Sequence, residues 1–387
     1  MSSDEIQLTF GDYGHTIHNY QVFSPDDRWI VFDSRNFDNQ ISSTGNIDMV
    51  NVTSGETLTL YRTVNQTQYG PGVGAASFSP FEEKVIFIHG IRNANEINPY
   101  GFTRRTGVAI DVKHRFCPIF MDARNIYSPF TQGALRGGTH AHCWSGDGKW
   151  ISFTYNDYIL EQLGKTDKCV KDLRAVGIMV PSEKVKVPDY NNLENNDGEM
   201  FSVVITEVLE NPRPASDEIM KAFDECWIGK IGYKKTDGSL QEKAVAFQGH
   251  VITKNGKVKT ECFVADLPED ISNPKVNSPL EGTPVTRPGV PEGIHQRRIT
   301  NTENGMEGPR NWLRTTPDGS LIAFLMKDKA GIVQVFGVSP NGGEIIQLTF
   351  NKFPVQGQFN FSPDGEFIAY PAQNSVFLQK LHCEKPD

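Results

Sequence analysis

The sequence lacks the features that would place it in most enzyme or membrane classes. No apolar run approaches the ~18 residues that a membrane-spanning helix requires. No block of Lys and Arg exists beyond short pairs such as Arg104-Arg105 and Arg297-Arg298, and the net charge is −9. A phosphate backbone would meet a repelling surface, which excludes nucleic acid as an expected partner. None of the six cysteines falls in a CxxC pair or another metal-ligand spacing. In a chain of 387 residues they read as free thiols rather than staples. No GxSxG elbow, GxxxxGK[ST] loop or GxGxxG turn occurs, so the familiar hydrolase, nucleotide and dinucleotide signatures are absent. The first residues, Met1-Ser2-Ser3-Asp4-Glu5, are polar and acidic with no apolar stretch behind them. They predict a cytoplasmic protein, or a periplasmic one if a signal peptide has been removed.

What is present is a repeat. Val22-Phe23-Ser24-Pro25-Asp26-Asp27, Ser77-Phe78-Ser79-Pro80, Cys143-Trp144-Ser145-Gly146-Asp147-Gly148, Arg314-Thr315-Thr316-Pro317-Asp318-Gly319 and Asn360-Phe361-Ser362-Pro363-Asp364-Gly365 share one pattern, with a weaker copy at Thr236-Asp237-Gly238. In each, a strand runs into a tight turn. Pro presets φ, Asp bonds its own backbone, and Gly accepts the left-handed conformation. An alternating strand such as Trp29-Ile30-Val31-Phe32 follows. Two further strands complete several copies, most clearly at 331–350. Four antiparallel strands per repeat are the blade of a β-propeller, and stacked blades bury faces that one blade cannot.

These copies predict an all-β, single-domain propeller over 1–387, with six blades at 18–65, 74–135, 138–206, 226–290, 310–350, and 357–383 joined by 6–10. A seventh has room between Tyr155 and Ala244. Gln7-Leu8-Thr9-Phe10 repeats Gln347-Leu348-Thr349-Phe350, so the N-terminal strand is expected to close the ring. Residues 207–227 read as a helical insertion: Ser216 suits an N-cap, and Ile219, Phe223 and Trp227 share one helical face.

In a propeller, residues just before each innermost strand converge on one mouth of the channel. His15, His18, His140, His142, Gln356 and Gln358 occupy such positions, as do Arg136, Arg310 and Asn311. On a regular strand His140 and His142 point to the same side. With His18 they are candidate ligands of a divalent metal; the plainer alternative is that they only bond the backbone of a polar channel. Arg136 and Arg310 are candidates to clamp a carboxylate bidentately and so to act in catalysis, the alternative being ion pairs within the fold. His15, Asn311, Gln356 and Gln358 are candidate ligand contacts. Tyr155-Asn156-Asp157 reads as a strand-ending turn, and His250 receives no role.

Several longer stretches are similar to one family. Gly133-Ala134-Leu135-Arg136-Gly137-Gly138-Thr139-His140-Ala141-His142, Ser152-Phe153-Thr154-Tyr155-Asn156-Asp157, Phe263-Val264-Ala265-Asp266, Gln296-Arg297-Arg298-Ile299-Thr300 and Pro309-Arg310-Asn311-Trp312 resemble the bacterial YidR family. That family is related to TolB and to oligogalacturonate lyases, and the resemblance runs from Gln7 to about Ala372. It implies a TolB-like propeller. The more distant lyases hold a manganese ion at the channel mouth and eliminate across a uronate. The positions matching two of their metal-binding histidines are Gln356 and Gln358 here, a departure from the lyase pattern. Three functions follow as expectations: a ligand-binding propeller for an acidic oligosaccharide or other small ligand; a divalent-metal-dependent lyase, with manganese the first choice, in which His18, His140 and His142 are ligands and Arg136 neutralises the uronate carboxylate; and a protein-interaction scaffold.

Overall fold

The computed structural model describes residues 6–18, 21–188 and 191–381. Strands dominate, and they fall into six successive antiparallel meanders. The first is β1 (Trp29–Asp33), β2 (Asn46–Asn51) and β3 (Thr57–Arg62). The second is β4 (Val73–Phe78), β5 (Lys84–Gly90), β6 (Arg105–Asp111) and β7 (Ile119–Phe120). A two-stranded parallel pair, β8 (Ala123–Arg124) with β9 (Ala134–Leu135), precedes the third. That third sheet is β10 (Gly137–Trp144), β11 (Ile151–Asp157), β12 (Ala175–Val185) and β13 (Gly198–Val204), with helix α1 (Tyr158–Thr166) between β11 and β12. The fourth starts at β14 (Ala222–Trp227), is interrupted by the small hairpin β15 (Tyr233–Lys234) and β16 (Leu240–Gln241), and continues with β17 (Ala244–Ile252), β18 (Val258–Asp266) and β19 (His295–Arg298). The fifth is β20 (Arg314–Thr315), β21 (Ile322–Lys327), β22 (Val333–Val338) and β23 (Ile346–Gln347); the sixth is β24 (Asn360–Phe361), β25 (Phe367–Ala372) and β26 (Ser375–Lys380).

The turn chemistry read from the repeat is built as expected. Ser24 Oγ donates to Asp26 at 2.6 Å and accepts from the Trp29 amide at 3.0 Å. Ser145 does the same with Asp147 and Trp150, at 2.6 and 3.0 Å. In the fifth copy Thr316 Oγ1 accepts from the Leu321 amide at 3.1 Å, while Gly319 takes φ +72°. In these copies, and at Ser362 with Phe367, one hydroxyl closes the hairpin five residues later, whereas Ser79 accepts from the Phe81 and Glu82 amides.

The chain divides into two compact units: residues 1–172, 177–203 and 276–289 form one, and 173–176, 204–275 and 290–387 the other. In the first, Val31, Ile47, Met49 and Leu60 pack with Val73, Phe78, Val85, Phe87, Val108 and Ile110, so two neighbouring meanders bury their facing sides together. In the second, Cys226, Ala246 and Val264 pack with Leu313, Ile322, Phe324 and Phe336, and Leu325 and Val335 with Val355, Phe359, Ile368 and Tyr370. Burial of apolar faces between sheets supplies the dominant stabilisation.

Two expectations are corrected. The helical insertion at 207–227 is absent: 216–221 is turn and extended chain, and 222–227 is β14, the inner strand of the fourth sheet. Its residues are buried on both faces, Asp224 and Glu225 included, so it has no alternation to betray a strand. Pairing with β17 overrides the weak local helical signal. The expected closing strand is also absent, since Ile6–Phe10 carries no strand and the sixth sheet has three. The four letters it shares with 347–350 specify little, because only Gln347 of that copy lies in β23.

Candidate functional site

Three of the inner strands carry the same irregularity. Pairing is interrupted between Gly74 and Ser77 in β4, between His140 and Cys143 in β10, and between Phe223 and Cys226 in β14. At each bulge one non-glycine residue is left-handed: Ala75 at φ +56°, Ala141 at +58° and Asp224 at +53°. Each costs roughly 1–2 kcal/mol of local strain, and each re-aims the side chains around it.

In the first unit the bulge at Ala141 undoes the simple strand geometry of His140 and His142. His140 is half-buried, whereas His142 is sealed in the interior. Burial, then the nearby charges of Arg105 and His18, push the His142 pKa down to about 3, so the ring is neutral. Thr139 Oγ1 donates to Asp122 at 3.1 Å and therefore accepts from His142 Nε2 at 3.0 Å. His142 Nε2 thus carries the proton. Asp122 is fully buried and also accepts from Thr106 Oγ1 and the Gly107 amide, at 2.7 and 2.6 Å. His15 is packed between Tyr13 and Phe32, with ring centroids 4.9 and 5.0 Å away. Among the described residues no three His, Cys, Asp or Glu side chains converge closely enough to hold a metal ion. His18, His140 and His142 belong to no such group.

Arg136 is enclosed in the same unit. Its side chain is 1% exposed and its Nε donates to Asp157 at 2.8 Å. Both terminal nitrogens donate to backbone carbonyls, those of Thr283 and Thr286. The bidentate edge expected to meet a ligand is filled from within the protein. Asp157 also caps α1, accepting from the Leu160 amide at 2.9 Å.

In the second unit the bulge of β14 turns Asp224 toward Arg310, which binds it through Nε at 2.7 Å and through Nη2. Unlike Arg136, Arg310 keeps 53% of its side chain exposed. It lines a pocket of about 200 Å³ with Lys221, Phe223, Gln248, His250, Asn311 and apolar neighbours that include Met306 and Phe324. The Phe223 ring, itself buried, gathers these groups: Lys221 Nζ lies 4.5 Å and the Arg310 guanidinium 5.5 Å from its centroid, and His250 meets it edge-on at 4.9 Å. Burial and the neighbouring Arg174 and Arg310 lower the Lys221 pKa. Burial, Lys221 and Arg310 bring His250 down to about 4. The buried Asn311 gives its carbonyl to Gln248 at 2.6 Å, while its side-chain Nδ2 has no hydrogen-bond partner. Lys221 and His250 were not identified from the sequence. They flank the strand that read as a helix, so no alignment of inner strands could register them. Gln356 and Gln358 are exposed; Gln358 accepts from Arg314 Nη2 at 3.2 Å.

Comparisons with known proteins agree with the family resemblance. The family model described as "Protein of unknown function (DUF3748)" matches residues 72–194. The sequence is 36% identical over 378 residues to the uncharacterized protein YidR of Escherichia coli K12, covering 96% of this chain and 85% of that one. An oligogalacturonate lyase from Vibrio parahaemolyticus is similar at 11% identity over 98% of this chain and 94% of that one, with a TM-score of 0.41. TolB from Acinetobacter baumannii is similar at 12% identity over 91% of this chain, with a TM-score of 0.40; this chain spans 60% of it. These two scores describe a general likeness and transfer no site. No helix among the described residues is long and apolar enough to cross a membrane.

Proposed function

Because the chain belongs to the YidR family, we propose that it is a ligand-binding β-propeller, its six meanders forming the blades of one domain, and that it takes the carboxylate-bearing ring of an acidic sugar in the Arg310 pocket. The observation that carries this reading is the arrangement around Phe223: two cationic groups, Lys221 and Arg310, stand over one aromatic ring beside an amide donor of Asn311 that no protein group uses. An aromatic face receives the C–H side of a sugar ring. Cations pair its carboxylate, and a partnerless buried amide gains most from a ligand hydroxyl. At about 200 Å³ the pocket falls below the ~300–1,000 Å³ of drug-sized sites, which suits one ring rather than a chain. His250, neutral at pH 7 with a pKa of about 4, adds a hydrogen-bonding edge without charge.

Calorimetric titration tests the reading. Galacturonate is expected to bind and galactose not to. Arg310→Ala should weaken galacturonate by roughly 10–100-fold, the worth of one charge-assisted hydrogen bond. Equal affinity for the two sugars, or an unchanged affinity in the variant, would overturn it.

A further inference from the structure

The first unit holds a buried guanidinium edge that no protein group uses, and it does not depend on the pocket just described. Six arginines are buried to 6% exposure or less: Arg35, Arg104, Arg105, Arg124, Arg136 and Arg314. Arg35 pairs with Asp33 and Asp38, Arg104 and Arg124 with Glu194, and Arg136 with Asp157. Arg314 donates to Asn360, Gln358 and the Leu313 carbonyl. Arg105, 3% exposed, is different. One terminal nitrogen donates to the Tyr100 hydroxyl at 3.0 Å, while its Nε and Nη2 are buried with no hydrogen-bond partner. Two buried acids of this unit bond other groups: Asp122 accepts from Thr106, Gly107 and Thr139, and Glu194 from Arg104 and Asn93.

From this we infer that the Nε–Nη2 edge of Arg105 is a binding fork for a planar oxyanion, a carboxylate or its equivalent. Those two nitrogens form the side-on edge of the guanidinium, where two parallel N–H bonds match the two oxygens of a carboxylate. The third nitrogen is tied to Tyr100, and the cation lies 4.9 Å from the Phe102 ring centroid, so the fork is held in one orientation before any ligand arrives. Phe102 is itself 60% exposed, so the residue stacked on the guanidinium reaches the surface. A buried guanidinium with two unused donors is costly, and an anion on that edge removes the cost.

The test uses the full chain labelled with 15N-arginine. The Arg105 Nε–H resonance, identified by its loss in Arg105→Lys, should shift saturably with formate, acetate or nitrate and little with chloride at equal ionic strength. Arg105→Lys keeps the charge but loses the fork, so the stabilisation by formate relative to chloride in thermal melts should fall on the order of tenfold in apparent affinity. Crystals of the wild-type protein grown in formate should show a planar density spanning Nε and Nη2, a readout that stands even if the variant fails to fold. Galacturonate serves as a further arm. A tighter response to it than to formate assigns the fork to the carboxylate of a larger ligand, and a response to the small ions alone assigns it to free oxyanions. Only water in the fork in formate crystals, or an Arg105 resonance indifferent to every oxyanion, would overturn the inference.

Discussion

Arg136 and Arg310 begin from the same position in the repeat, just ahead of the inner strands of the third and fifth sheets. Each pairs with an aspartate and each lies over a phenylalanine, Arg136 at 5.0 Å from Phe130 and Arg310 at 5.5 Å from Phe223. Their environments nonetheless diverge. Residues 279–289 cover Arg136, with two carbonyls on its terminal nitrogens and Gly282 so close that a Cβ there would stand 2.8 Å from Nη1. Arg310 is held by the bulge of β14 and stays open to a pocket. The comparison teaches that position in a repeat predicts a residue's partner type better than its role. The role depends on whether an insertion covers the site, and insertions are where the repeat pattern ends.

The largest effect expected from this contrast is on stability. Arg136→Ala strands the buried Asp157 carboxylate and leaves the Thr283 and Thr286 carbonyls without their donor, so unfolding in urea should show a loss of about 3–5 kcal/mol. Arg310→Ala also leaves a buried carboxylate, Asp224, without its partner, but it removes a side chain already half exposed, so it should cost less, about 1–3 kcal/mol. Comparable losses in both would erase the distinction drawn between them.

Acid comes next. Buried His89 and His142 have pKa values lowered to about 4 and about 3. Their folded values lie below the unfolded value of about 6.5, so the unfolded chain binds protons first and stability falls as pH drops through that value. At pH 5 each should cost on the order of 2 kcal/mol relative to pH 7, which urea titrations at the two pH values would read. A flat profile across that window would mean that the rings are not held neutral.

Binding in the Arg310 pocket should carry its own pH signature. The Lys221 ammonium is lost at a lower pH than that of an ordinary lysine, because burial and two guanidiniums disfavour it. Affinity for galacturonate should therefore fade as pH rises toward the normal lysine range, and Lys221→Met should flatten that dependence. A profile unchanged in the variant removes Lys221 from the site.

The smallest effect is expected at the histidines proposed from sequence as metal ligands. His140→Ala should leave the metal content of purified protein unchanged, since the described side chains assemble no metal cluster. Stoichiometric manganese that disappears with His140 would restore the metal reading.

Much of the architecture was legible in the sequence, because a Ser/Thr-Pro-Asp-Gly turn followed by alternation is a local code and every element it needs is local. The six meanders follow it closely. What could not be read is non-local. The strand at 222–227 is buried on both faces and lacks alternation, and its serine and acidic neighbours imitate a helix start. Ala75 and Ala141 adopt left-handed backbone that nothing in alanine encodes. Arg310 and Asn311 were placed by their position before an inner strand, whereas Lys221 and His250 joined them only through pairing of β14 with β17. Arg105 read only as half of a short basic pair; its burial belongs to the second meander as a whole.

The most direct test of the account is a crystal structure of the protein with galacturonate bound. The sugar ring should lie on the Phe223 face, with its carboxylate between Lys221 and Arg310 and a hydroxyl within hydrogen-bond distance of Asn311 Nδ2. Density for the sugar anywhere else, with this pocket holding solvent alone, would contradict it.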